Sequence, residues 1–284
     1  MARGDGAGCG GLDNGAQPPA TPTMPLCHSV PCRLRHSLIA AAWALLPLAS
    51  LAASEEIQVY LDDLSAPGQF GVDVHNNFVF KGAHTPGYPG ETPPHRQYRL
   101  TPEFYYGITP TLELGLYLLA SRAAEGNSRL DGSKLRLKYI APHDDKVGAF
   151  WGLNLEVGKT ALSASETPWN GQLKGILGWR SGAWTLGANP NFDWSLSKGG
   201  GPVAASLDIK VARQVAERTQ VGVELYSDLG PAKAVQAWKR NAKTLYLVLD
   251  QELGHEIDLN LGLGRGLTPD ADRWTLKLIV GTHF

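Results

Sequence analysis

The sequence predicts an all-β protein, a transmembrane antiparallel up-and-down β-barrel of about twelve strands. Three observations carry that expectation. Nearly every segment after residue 54 alternates apolar and polar residues, the period of a strand. The connections between these segments alternate between short and long. The chain closes on "RWTLKLIVGTHF", where Phe284, Thr282, Val280, Leu278, Leu276 and Trp274 share one face.

The segments follow in order. "QFGVDVHNNFVF" sets Phe70, Val72, Val74, Phe78 and Phe80 against Asp73, His75 and Asn77. "YRLTPEFYYGI" groups Tyr98, Leu100, Phe104, Tyr106 and Ile108 opposite Arg99, Glu103 and Tyr105. "LELGLYLLA" opposes four leucines to Glu113, Gly115 and Tyr117, and "SKLRLKY" opposes Leu135, Leu137 and Tyr139 to Lys134, Arg136 and Lys138. "AFWGLNLEVG" sets Trp151, Leu153, Leu155 and Val157 against Asn154 and Glu156. "GQLKGILGWR" has the weakest pattern, with Lys174 on its polar side. "WTLGANPNFDWSL" faces Asn189, Asn191 and Asp193 away from its tryptophans, and "ASLDIKV" does the same with Asp208 and Lys210. "VGVELY", "TLYLVLD" and "IDLNLGLG" carry Glu224, Asp250 and Asp258 on their polar faces, and the terminal stretch completes the set.

Short connections are expected at 107–111, 140–148, 181–183, 212–220 and 250–256, and longer polar ones at 81–97, 121–132, 159–169, 197–204, 227–243 and 264–272. Short turns at one end and long loops at the other are the habit of outer-membrane barrels, with both chain ends on the periplasmic side. In a soluble barrel such as a lipocalin the apolar face turns inward around a small core, but about twelve strands enclose too much space for that. With lipid outside, the polar face lines the lumen and closure satisfies every backbone hydrogen bond. Trp151, Trp169, Trp184, Trp194 and Trp274 fall near strand ends, as interfacial girdles do.

Other classes are excluded by composition. A net charge of −1 without a long charge run leaves no electrostatic footprint for nucleic acid. No stretch after residue 54 reaches the ~18 apolar residues of a membrane helix. Upstream, Arg33 and Arg35 precede an apolar run from Leu38 to Leu48, followed by Ala49, Ser50, Ala52 and Ala53. Residues 33–53 thus read as a Sec signal peptide cut near Ala53. Residues 1–32 are rich in Gly and Pro and read as a disordered leader or a mis-assigned start, with translation beginning near Met24 or Val30. Residues 54–284 form the expected barrel. Cys9, Cys27 and Cys32 all precede the cut, so the processed chain carries no thiol or disulfide.

The terminal "WTLKLIVGTHF" resembles the last strand of Gram-negative outer-membrane proteins, which the barrel assembly machinery reads. Trp274, Leu276, Leu278, Val280 and Phe284 carry that resemblance, and Thr282 departs from it. "IQVYLDDLSAPGQFGVDVHNNF", "RLTPEFYYGITPTLELGLYL", "LRLKYIAP" and "GLGRGLTPDADRWTLKLIVG" resemble a family of proteobacterial outer-membrane proteins, loosely similar to channels linked to aromatic-compound degradation. The resemblance implies a barrel in the outer membrane, with lipid and the assembly machinery as partners, and leaves the solute open.

The candidate lumen and constriction residues are Arg99, Glu103, Glu113, Lys134, Arg136, Lys138, Glu156, Asp193, Lys210, Glu224, Arg273 and Lys277. Their signs nearly balance, whereas a strongly ion-selective pore would show an excess of one. They read either as a charged constriction for a small hydrophilic or aromatic solute or as ion pairs that fill and stiffen a closed lumen. A hydrolase would need a Ser and His together with an orienting group; His75 and Asn77 share a face, but no Ser stands beside them and no GxSxG occurs. "HDD" at 143–145 and the loop residues His84 and His95 lack structural-zinc spacing and read as polar turns, so no metal or cofactor is expected. "HTPGYPGETPPH" at 84–95 reads as an exposed loop, with a lid over the pore as the alternative.

Overall fold

The computed structural model describes residues 56–254 and 257–284. The expected leader and signal peptide lie outside the described residues. Twelve antiparallel strands close into one barrel, each hydrogen-bonded to its sequence neighbours, with β1 and β12 sealing the ring. The strands are β1 (Phe70–Lys81), β2 (Tyr98–Thr109), β3 (Leu112–Arg122), β4 (Ser128–Ile140), β5 (Gly148–Thr160), β6 (Trp169–Ser181), β7 (Trp184–Ser195), β8 (Ala204–Ala216), β9 (Thr219–Pro231), β10 (Lys243–Leu253), β11 (Ile257–Gly266) and β12 (Trp274–His283). Strands of 10 to 13 residues match what a tilted strand needs to cross hydrocarbon. Among the described residues there is no helix.

The alternation decides which face is which. Leu114, Leu116 and Leu118 on β3 are exposed on the outside, while Glu113 and Tyr117 between them are buried. The same inversion recurs on β5, where Trp151, Leu153, Leu155 and Val157 are exposed and Asn154 and Glu156 are buried. A protein whose leucines face out and whose lysines face in has its apolar side against something other than water. Tryptophans collect at both rims: Trp169, Trp194 and Trp274 toward the long-loop end, and Trp151, Trp179 and Trp184 toward the short-turn end.

The weakest sequence segment is a full 13-residue strand, β6, because β5 and β7 pair with it along nearly its whole length. Three connections are much shorter than expected. Those at 212–220 and 227–243 contract to 217–218 and 232–242, because β8 runs to Ala216 and β9 runs from Thr219 to Pro231. The loop expected over 121–132 shrinks to 123–127, since β4 begins at Ser128 and pairs with Arg122. Two residues of β3, Leu119 and Ala120, face Gly132 and Leu130 across a bulge there. Gly132 adopts φ 150°, and a Cβ on it would meet the Lys159 carbonyl, so that bulge requires glycine.

The chain before β1 is not a strand of the wall. Residues 56–66 run extended inside the barrel as a plug. "IQVYL" alternates like a strand, and Ile57, Val59 and Tyr60 are buried. Two glycines make room for it. A Cβ on Gly187 of β7 would lie 2.6 Å from Leu61 and 3.4 Å from Val59. A Cβ on Gly107 of β2 would collide with the Ala66 carbonyl where the plug leaves the lumen. That exit is closed by Gly68 donating to Gly107 O (2.8 Å) and Gly107 donating to Gln69 O (3.0 Å).

Candidate functional site

The lumen encloses a polar space. Its wall supplies inward side chains from every strand, because each strand turns alternate residues toward the axis. The plug divides it. A cavity of about 500 Å³ lies toward the short-turn end, lined by Gln58, Tyr60, Asp73, Glu103, Lys210 and Glu224 among others.

Two ion networks hold the wall together across strands. In the first, Arg136 of β4 bonds Glu103 of β2 (2.8 Å) and Glu113 of β3 (2.6 Å), and Glu103 also meets His75 of β1 (3.3 Å). All four side chains are buried. Arg136 ignores its register partner Glu156, which instead accepts from Asn154 at 2.8 Å. In the second, Lys277 of β12 donates to Glu224 of β9 (2.5 Å), and Lys210 of β8 bridges Glu224 (3.2 Å) and Asp250 of β10 (2.8 Å). Buried charges at this density persist only when paired and hydrogen-bonded.

The plug is tied into both networks. Ser65 N–H donates to Glu113 (2.7 Å), Lys138 to the Asp63 carbonyl (2.5 Å) and Lys277 to the Ile57 carbonyl (3.2 Å). Asn189 of β7 clasps Tyr60 from both sides: Tyr60 N–H donates to Asn189 Oδ1 (2.7 Å), and Asn189 Nδ2 donates to Tyr60 O (3.0 Å). That pair of bonds copies a strand pairing, which explains how an extended segment stays in place without a neighbouring strand. The Tyr60 ring packs with Ile140, Phe150 and Ile176, and its face meets the Lys174 ammonium at 4.1 Å. Its hydroxyl reaches Tyr117 and Glu56, both at 2.5 Å.

At the short-turn end, Asp62 forms a latch with Arg180 and with His143 (2.7 Å) of the 141–147 connection. Burial raises the Asp62 carboxyl, but the hydrogen bonds from Arg180 and His143 outweigh it and hold the group below the usual carboxylate range. Burial lowers the His143 imidazole, but its bond to the Ala141 carbonyl and its contact with Asp62 carry it above its ordinary value. The "HDD" turn is therefore a partner of the plug.

At the long-loop end, residues 82–97 fold over the mouth. Tyr88, Glu91 and Thr92 are buried, Thr92 N–H donates to Ser163 O (2.9 Å) in the next-but-one long connection, and Gly90 lies against Leu162. This Pro-rich segment combines both readings: Tyr88, Glu91 and Thr92 pack inward as in a lid, while residues 84–87, 89 and 90 stay exposed as a loop. His84 and His95 stack on each other at 3.8 Å.

The other expected lumen residues fall as follows. Arg99 is buried beneath the lid and bonds Gln97 (3.1 Å). Lys134 is partly buried on β4, and Asp193 on β7 accepts from Gln172 at 2.8 Å. Arg273 is exposed in the 267–273 connection, outside the networks, where its N–H donates to Lys81 O (2.7 Å). Trp274, Leu276, Leu278 and Val280 line the outer face of β12, and Phe284 is exposed while its backbone pairs with Phe70 at 2.8 and 3.2 Å. Sequence reasoning missed the plug, Asn189 as its clasp and Asp62 as its latch. The alternation of "IQVYL" was the available signal, but it has no partner strand and lies between two longer features.

Neither a family model nor a curated protein sequence matches the chain. Solved structures do. The COG4313 outer membrane channel from Pseudomonas putida F1 aligns with a TM-score of 0.56 at 14% identity, covering 81% of this chain and 100% of that one. The KdgM porin in complex with disordered oligogalacturonate aligns at 0.49 and 9% identity, covering 75% and 99%, and the NanC porin at 0.46 and 13%, covering 75% and 98%. At such identities the likeness to the Pseudomonas channel is one of fold: the chain shares with it a closed antiparallel β-barrel.

Proposed function

We propose that this protein is an outer-membrane channel for passive passage of small hydrophilic or aromatic solutes, gated by its own N-terminal segment. The observation that carries the reading is a closed barrel, leucines outward and charges inward, whose axis is occupied by a strand-like plug held through polar contacts. The plug buries only two small apolar clusters, Tyr60 with Ile140, Phe150 and Ile176, and Ile57 with Tyr246 and Val248. Its backbone is fixed to the wall by hydrogen bonds, which water can replace when the segment leaves. The Sec signal peptide delivers the chain to the periplasm, and the outward residues of β12 with Phe284 address it to the barrel assembly machinery. The short turns then face the periplasm, so the plug enters from that side.

The specific observation favouring a second reading, a structural or membrane-anchoring barrel with a closed lumen, is the completeness of the two buried ion networks. Planar-bilayer conductance separates the two. The processed protein is compared with a variant lacking residues 57–64. A channel gives rare openings in the full chain and steady ohmic steps in the deletion. Silence from both, with correctly folded barrels, establishes the closed reading. An outer-membrane hydrolase ranks third, because His75 is committed to Glu103.

A further inference from the structure

We propose that Glu56, His75 and Glu103 form a binding site for a divalent transition-metal cation of the zinc type, which fastens the plug to the barrel wall. Each residue brings one ligand atom within 4.8 Å of the other two. His75 Nε2 and Glu103 Oε2 lie 3.3 Å apart on adjacent strands. Two donors bound tetrahedrally to zinc at about 2.0–2.1 Å are separated by about 3.3–3.4 Å, so this pair forms one edge of such a site. Glu56 supplies the third donor from the plug, and two carboxylates with an imidazole suit zinc chemistry.

The surrounding charge points the same way. Asp73 and Glu103 are register partners on β1 and β2, which places two carboxylates directly opposite each other. Glu56 and Glu103 both bring a carboxylate oxygen within 4.8 Å of a His75 ring nitrogen, and Asp73 stands two residues away on the same face of β1. Glu113 adds a fourth acid, and the guanidinium of Arg136 is already divided between Glu103 and Glu113. The Lys138 ammonium is turned to the Asp63 carbonyl. A dication with a neutral imidazole offsets this excess more fully than a protonated His75 does. His75 is wholly buried, and its Nδ1 has no hydrogen-bond partner, so the fold gives the ring no role beyond this cluster.

The supporting shell is present. Tyr60 OH donates to Glu56 Oε1 (2.5 Å), and Arg136 fixes Glu103 through Oε1 (2.8 Å), leaving Oε2 toward His75. Tyr60, Asp73 and Glu103 line the 500 Å³ cavity, which provides the entry path. The site has no spacing motif because its ligands come from three separate segments. It rests on the placement of the plug and is independent of whether a solute passes.

The test uses the processed full chain in detergent, stripped with a chelator and dialysed against Zn²⁺. A His84→Ala/His95→Ala background removes the stacked loop pair as a competing site. One zinc per chain is expected, with Glu56→Gln and His75→Ala each weakening binding by about a hundredfold. Glu56 lies on the plug, so Glu56→Gln tests the site without touching the wall, and heat-modifiable gel migration verifies folding of both variants. A single cysteine, Val59→Cys, reports whether the plug is seated: zinc should slow its maleimide labelling about tenfold, and not at all in Glu56→Gln. Zinc uptake unchanged by Glu56→Gln, uptake without protection of Cys at 59, or no stoichiometric uptake each overturns the proposal.

Discussion

Asn189→Ala is the most direct test of the plug. The side chain makes two hydrogen bonds to the backbone of Tyr60, at 2.7 and 3.0 Å, and a third to the Gly175 carbonyl at 3.1 Å. Only the first two depend on the plug being seated. Each is worth about 1 kcal/mol net, and a buried N–H or C=O left without a partner adds to the loss, so seating weakens by about 2–3 kcal/mol. That corresponds to a 30- to 150-fold rise in the unseated population, by the rule that about 1.4 kcal/mol is tenfold. The described residues contain no cysteine, so Val59→Cys gives a single label site that is 4% exposed when seated. When opening and closing outpace labelling, the maleimide rate follows the open fraction, and it should rise by the same factor in Asn189→Ala. Asn191→Ala is the control: Asn191 bonds Ser206 (3.0 Å) and Asp208 (2.8 Å), both on β8, and its hydrogen bonds do not go to the plug. Equal rates in the two variants would refute the clasp.

Four further outcomes follow from the same contacts. Gly187→Val should loosen the plug: a Cβ there lies 2.6 Å from the tip of the Leu61 side chain, which can turn aside, but the two further methyl groups press on Leu61 and Val59 together, so labelling of Cys at 59 should rise without loss of barrel stability. The latch between Asp62 and His143 should depend on pH. Its Asp62 contribution is present above the ordinary carboxylate pKa and is lost as pH falls through the depressed folded value, whereas its His143 contribution is present below pH ~6.5 and is lost as pH rises through the elevated folded value. Labelling should therefore be slowest in mildly acid buffer and faster above neutrality, and His143→Ala should flatten the alkaline limb. Arg136→Met leaves Glu103 and Glu113 facing each other without their cation and should cost about 3–5 kcal/mol in urea unfolding from detergent or lipid. Phe284→Ser, exposed and outside the lumen, should lower the yield of assembled barrel in cells several-fold while leaving the conductance of each assembled molecule unchanged.

The barrel was legible because lipid outside and charge inside write the strand period into nearly every segment. Leu112 to Leu118 or Leu245 to Leu249 can be assigned to a face without any knowledge of their neighbours. The bounds of β4 were not, since Ser128 and Arg129 pair with β3 through a bulge whose register the linear pattern does not encode. The candidate residues were assigned to the inward face as a set, but their partners were invisible. Arg136 passes over Glu156 on the adjoining strand and reaches Glu103 and Glu113 instead.

Alternation alone determined the architecture, the strand number and the inward orientation of the charges, because side-chain direction in a strand is a local property of the backbone. Only the closed tertiary structure decided that "IQVYLDD" lies within the ring and that Asn189, His143 and Glu113 hold it there. Closure brings together residues more than a hundred positions apart, such as Tyr60 and Asn189, and which polar groups meet across a lumen is set by the shear and circumference of the barrel.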